Sequence, residues 1–195
     1  MAQAAKLKGR PASVEAGAGA CRVLRSLFVA ALFAIIATAG SSRPALAKYA
    51  AIVVDADTGA ATGVASYLRI QPEMGVIEVG HIAWSPILQQ TRAATEAMYL
   101  LMKHVFDGLG FRRYEWKCDA LNAASRRAAA RLGFSFEGIV RQATVYKGRN
   151  RDTAWYSVID TEWPAIRTEF ESWLAPANFD SEGRQQESLT VPTRS

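Results

Sequence analysis

Thiols and imidazoles are scarce in this chain: Cys21, Cys118, His81 and His104 are all there are in 195 residues. The two cysteines fall in stretches of different composition, which excludes an internal disulfide framework and a cysteine metal cluster, and the histidines stand at no ligand spacing. No metal is therefore expected. An excess of one charge is also missing from most of the chain. The formal net charge is +5, but residues 1–47 carry six Lys/Arg against one acid, whereas residues 48–195 carry 17 against 17. A neutral body argues against a general nucleic-acid-binding surface, so no nucleic-acid partner is expected. The apolar stretch Leu27 to Ala39 falls short of the about 20 residues that a membrane span needs. No internal repeat recurs, which excludes a solenoid. What is left is a single domain with room for a sizeable core, since 50% of the residues are hydrophobic.

The amino end reads differently from the rest. Arg22 and Arg25 precede the uncharged run LFVAALFAIIATA, which leads into SSRP and then Ala45-Leu46-Ala47, an A-x-A pattern with cleavage expected before Lys48. Basic residues, an apolar core and small residues in that order are the pattern of a secretory signal. The plainer alternatives are a buried helix or an uncleaved anchor. Residues 1–47 are thus expected to be a leader, disordered at first and then an apolar helix, and no stable span is expected after its cleavage.

From Tyr49 the chain alternates strands and helices. YAAIVVD (Tyr49 to Asp55), GVASYLRI and VIEVGHIAW read as three strands of an antiparallel meander, the last two separated by Pro72 to Gly75. Ala94, Ala97, Met98, Leu101, Val105 and Leu109 then fall on one helical stripe, stopped by Gly108 and Gly110. RYEWKCD alternates strictly, with Tyr114, Trp116 and Cys118 on one face and Arg113, Glu115, Lys117 and Asp119 on the other. Asn122 is an expected N-cap for a short basic helix that closes at Gly133. FEGIVRQATVY and TAWYSVID make a hairpin around KGRNRD, and Trp163 to Leu174 make a last amphipathic helix before Pro176. The fold class is α/β or α+β, a sheet covered by helices. The domain is expected over residues 48–175, with a loose polar tail over 176–195.

The start of the first helix, SPILQQTRAATEAMYLL, is polar and bare of bulk. A helix start offers unpaired N–H groups and a positive dipole end, which suit a phosphate. Ala93 and Ala94 give close access, Gln89, Gln90, Thr91 and Thr95 add side-chain donors, and Arg92 adds charge. A plain solvent-facing cap is the alternative reading.

At these residues the sequence resembles the GCN5-related N-acetyltransferase (GNAT) superfamily, in the branch of the ribosomal-protein-alanine acetyltransferases. The family's Q-x-x-G-x-G/A loop maps onto Gln89-Gln90-Thr91-Arg92-Ala93-Ala94, with Arg92 standing where glycine is usual. DALNAASRRAAARLGFSFEG is similar to the segment whose positions, here Asn122 and Ser125, contact pantetheine. KGRNRDTAWYSVIDTEWP is similar to the closing hairpin. Together these segments cover roughly Ala61 to Leu189.

The resemblance implies the acyl-CoA N-acyltransferase fold, a mixed, mostly antiparallel sheet with flanking helices. It implies that the strands around Val76 to Trp84 and Arg112 to Asp119 splay apart to admit the thioester arm of acetyl-CoA. Backbone groups of Ile82, Ala83 and Trp84 would pair with that arm. The implied reaction is direct attack of an amine on the acetyl carbonyl without a metal, with acetyl-CoA and an amine acceptor as partners. Glu78 is the base candidate, on a strand where it alternates with Gly80 and Ile82 while His81 points away if that strand is regular; an ion-paired carboxylate on a sheet face is the plainer reading. Relatives carry a tyrosine acid near what is here Ala129, and Tyr146 or Tyr156 could replace it, as could solvent. Arg126, Arg127, Lys147, Arg149 and Arg151 could meet a cofactor phosphate or an acidic substrate, or form a solvated basic surface.

The family fold normally opens with a strand and two helices before the equivalent of Tyr49 to Asp55, and none of the three is visible in the sequence. AKYAAIVVDADTG instead resembles the start of secreted D-alanyl-D-alanine carboxypeptidases. That activity is excluded for the body because no serine is followed three residues on by lysine. A catalytically inactive truncated domain that binds CoA or a partner protein is the other expectation, and the missing elements would favour a homodimer. The cofactor argues for the cytoplasm, the leader for export.

Overall fold

A computed structural model of the chain describes residues 30–35, 49–55 and 58–192. They form one sheet of seven strands in the order β1-β2-β3-β4-β5-β7-β6. The strands are β1 (Ala30–Ile35), β2 (Tyr49–Val54), β3 (Ala61–Gln71), β4 (Val76–Trp84), β5 (Arg113–Asp119), β6 (Ser135–Tyr146) and β7 (Arg149–Ile159). All neighbours are antiparallel except β4 and β5, which run parallel and are joined through the helix α1 (Arg92–Lys103). Helices α2 (Ala123–Arg131) and α3 (Trp163–Leu174) complete the order. The mixed, mostly antiparallel sheet with flanking helices is the expected fold class.

The strand β1 lies inside the segment read as a leader. The apolar helix expected there is corrected over Ala30–Ile35, which pairs along its whole length with β2, from Ala30 opposite Val54 to Ile35 opposite Tyr49. The outer edge of β2 carries N–H and C=O groups that need partners, and pairing along an open edge overrides the helical preference of an alanine-rich run. The rest of the leader, including the expected cleavage point before Lys48, is outside the described residues.

Elsewhere the period predicts the element. Tyr114, Trp116 and Cys118 of β5 are buried in the main core with Tyr67, Ile77, Val79, Met98, Met102 and Val105, as strict alternation requires. Thr91 caps α1 by accepting the Ala94 N–H at 3.1 Å, and Asn122 caps α2 by accepting the Ser125 N–H at 3.0 Å. Leu109 departs from the expected stripe. A π-turn over His104–Gly108 inserts a residue after α1, and the shifted phase leaves Leu109 exposed.

The tail is docked, not loose. Phe179 forms a β-bridge with Gln185, Trp173 Nε1 donates to Gln185 Oε1 at 3.1 Å, and Asn178 Nδ2 donates to the carbonyls of Trp173 and Glu187. Leu189 and Val191 pack against the main core. Composition alone reads this segment as polar because its few anchors are single residues spaced among hydrophilic ones.

Candidate active site

Strands β4 and β5 share only four paired positions, Val76↔Arg113 to Val79↔Trp116, and then part. Beyond them Gly80 to Trp84 and Lys117 to Asp119 face each other across a gap, and this is the expected splay. Two bulges shape it. Ser66 pairs with Gly80 and Val64 with Ala83, so His81 and Ile82 together oppose Ala65, with His81 at φ 48°. The bulge switches which residues face the core: Ile77 and Val79 are buried before it, whereas Ile82 and Trp84 pack against the core after it. The expected alternation of Glu78 with Ile82 on one face is thereby corrected; Gly80 is the last residue in phase with Glu78. A bulged strand also removes the premise on which His81 was assigned a face.

A second bulge in β3 places Arg69 at φ 46°, and its Nη1 donates to Glu78 Oε2. Glu78 is 3% exposed and also meets Lys117 Nζ at 3.1 Å. Lys117 bonds Glu115 Oε2 at 2.7 Å as well, and its ammonium lies 3.8 Å from the centre of the Trp155 ring. From Glu115 the chain of charges continues through Arg113 to a two-pronged contact with Glu137, at 2.7 and 2.6 Å, which Ser157 Oγ joins at 2.6 Å. This ladder crosses β3, β4, β5, β6 and β7 on the face opposite the main core. Its Arg113 fork holds the Glu137 carboxyl below the ordinary carboxylate range, with Ser157 adding to the effect.

A cleft of about 1230 Å³ opens at the splay. It brings together Glu78, Ile82, Asn122, Ser125 and Tyr146 of the expected site. Ser125 Oγ accepts from Trp116 Nε1 at 2.9 Å, which ties the first turn of α2 to β5. Tyr156 is buried away from the cleft, its hydroxyl accepting from Arg126 Nε at 3.0 Å. Arg126 is thereby committed to packing, while Arg149 and Arg151 line the cleft. Asp119, also in the lining, is held below its ordinary carboxyl value by the Leu121 N–H and then by Arg149 at 2.6 Å.

Ala83, Trp84 and the loop from Gln89 to Thr95 stand beside this cleft, outside its lining, at the start of α1. The positive φ expected where glycine is usual is carried by Gln90, at 60°, so Arg92 is free to be the first helical residue. Gln89 Nε2 donates to the Trp84 carbonyl at 2.9 Å, and Thr91 Oγ1 donates to the Leu88 carbonyl at 2.7 Å while accepting from Ala94 N. Arg92 turns away from the helix start: its guanidinium donates to the Leu174 carbonyl and lies 4.5 Å from the Phe179 ring. The charge expected there is spent on the docked tail. Thr95 accepts from Arg131 Nη1 at 3.1 Å. First-turn N–H groups, at Arg92 and Ala93, remain as anion donors with only a Cβ beside Ala93. A gap with strand edges on both sides, and a helix start that follows one of those strands in the chain, fit an extended arm that carries a phosphate.

Sequence reading missed Lys117 and Arg69. Alternation put Glu115 and Lys117 on one polar face, and a second charge at Glu78 on a neighbouring strand is the signal that could have joined them.

Comparison with known proteins agrees with this geometry. The ribosomal-protein-serine acetyltransferase of Escherichia coli strain K12 is 30% identical over 102 residues, covering 51% of this chain and 56% of that protein. The chain thus spans little more than half the length of that curated relative. A crystal structure of a GCN5-related N-acetyltransferase from Brucella melitensis is 53% identical, with a TM-score of 0.70, over 74% of this chain and 64% of that one. A GNAT-family structure from Chromobacterium violaceum is 49% identical, with a TM-score of 0.59, over 60% of this chain and 59% of that one. The acetyltransferase (GNAT) domain family matches residues 28–135, a stretch that opens ahead of β1 and closes at the start of β6. That match takes in the fork, the helix start and more than half of the chain, which belongs to the GNAT acetyltransferase family.

Proposed function

We propose that this chain transfers the acetyl group of acetyl-CoA to a primary amine, on a protein amino terminus or a small molecule. The observation that carries the reading is the fork between β4 and β5 after four paired positions, with α1 following the forked end of β4 in the chain. The pantetheine arm lies in the fork against backbone groups of Ile82, Ala83 and Trp84, with Asn122 and Ser125 across from it. The pyrophosphate meets the N–H groups of Arg92 and Ala93, within the loop from Gln89 to Thr95. In the reaction an N–C bond forms, the C–S bond breaks, the amine gives up a proton and the departing thiolate takes one.

Glu78 is the base in this reading, held between Arg69 and Lys117 and reaching the amine through water in the cleft. Tyr146, on the opposite wall and half exposed, is the acid. The donor carries with it a cytoplasmic location. Titration of the full chain with acetyl-CoA should give saturable binding and a raised Tm, and addition of amines should release free thiol. Absence of binding sinks the reading. Glu78→Gln should lower thiol release with little change in binding, and equal turnover would remove Glu78 as the base. One observation favours a second reading, a CoA-binding domain without turnover: Glu78 already has both neighbouring cations as partners. Binding without thiol release across a broad panel of amines would select it.

A further inference from the structure

The lining of the cleft has an uneven charge inventory. Arg69, Lys117, Arg149 and Arg151 contribute four cations against the two carboxylates of Glu78 and Asp119. Both carboxylates are taken: Glu78 by Arg69 and Lys117, Asp119 by Arg149. Arg151 makes no contact ion pair among the described residues, its charge acting on Asp119 only at longer range behind Arg149, and its Nε is buried without an acceptor. It sits opposite Thr144 on β6 and lines the same cleft. The Nε–H in that position lacks an acceptor, which is costly for a buried donor, and a carboxylate is the best geometric match for the edge of a guanidinium.

We infer that the acceptor amine carries a carboxylate close to its nitrogen, and that Arg151, with Arg149 beside it, recognises that carboxylate. The inference rests on the acetyltransferase reading and narrows it. A polyamine is the contrary case. Its second ammonium would enter a wall of like charge in which neither carboxylate is available, and such juxtaposition disfavours the wrong partner. The neutral amine to be acetylated is unaffected, so the wall selects on the remainder of the acceptor.

The test uses the full chain, acetyl-CoA and four acceptors. Two are peptides of equal length with a free amino-terminal serine, one with aspartate and glutamate next, the other with asparagine and glutamine. The third is free glutamate and the fourth spermidine. The acidic peptide should exceed the neutral one in kcat/KM by roughly tenfold, with spermidine lowest. Free glutamate in place of the acidic peptide as best acceptor would identify a small-molecule source of the same chemistry. Arg151→Gln should bring the acidic-to-neutral ratio close to one, and Arg151→Lys should restore part of it. Spermidine equal to or better than the acidic acceptors overturns the inference, as does a ratio that survives Arg151→Gln. Failure of acetyl-CoA to bind is the separate failure of the acetyltransferase reading. If acetyl-CoA binds and no acceptor turns over, calorimetry with the acidic peptide decides: tighter binding to the wild type than to Arg151→Gln upholds the anion site, and equal binding overturns it.

Discussion

Asn122 has two duties that one substitution separates. Its Oδ1 caps α2, and under the proposed function its side chain also faces the pantetheine arm. Asn122→Ala should lose both, costing about 1 kcal/mol of stability for the cap and roughly 1–3 kcal/mol of acetyl-CoA affinity. Asn122→Asp keeps an acceptor at the cap, so its Tm should stay near wild type while acetyl-CoA affinity falls. Unchanged affinity in both variants removes Asn122 from the site. Glu137 offers a pH test. Its ordinary carboxyl value is 4.5 and the Arg113 fork lowers it in the folded chain. A depressed folded value means the carboxylate stabilises the fold above pH 4.5 and loses that contribution as pH falls through the folded value. Glu137→Gln should therefore melt below the wild type at neutral pH, and the gap should close in acid. A gap that stays constant across that range would show the fork contributes nothing to folding.

At the scale of elements, the boundary between what the sequence discloses and what it hides follows the reach of local chemistry. Alternation in RYEWKCD, the Asn122 cap and the Pro176 stop are local, and each element stands where they put it. The strand β1 was not legible, because Ala30–Ile35 is a strand only in the presence of β2. The bulges at Arg69 and His81 were not legible either, since register depends on the partner strand. They decide which side chains of β4 reach the cleft, and so the site was readable as a list of positions but not as an arrangement. The join of α2 to β6 illustrates the same limit. Gly133 ends the helix at φ +87°, and an added Cβ would lie 2.5 Å from Val191 Cγ1 of the docked tail. Gly133→Ala should cost about 2 kcal/mol or more, read as a lower Tm. Adding Val191→Ala should recover the overlap but leave the backbone strain. Full recovery would mean that the φ angle carries no cost there.

For the whole molecule, the two ends of the described chain both serve the sheet: β1 covers the edge of β2, and the tail anchors Leu189 and Val191 on the main core. A chain begun at Lys48 would lack β1 and expose the β2 edge. Loss of ~2–3 kcal/mol would lower Tm by roughly 5–10 °C, with association visible in sedimentation as open edges pair. A monomer with unchanged Tm would show that β1 adds nothing to the fold. The fork has a mechanical side as well. Four paired positions are the hydrogen-bonded junction between the blade of β1 to β4 and the blade of β5 to β7. Such a junction is a pivot. The contact of Lys117 with Glu78 spans it at the crotch of the fork, on the side away from the helices, and Glu115 beside them lies on one of the four rungs. The charge ladder thereby acts as a stay across the fork, and some of the side chains that line the slot are also the ones that tie its two blades together.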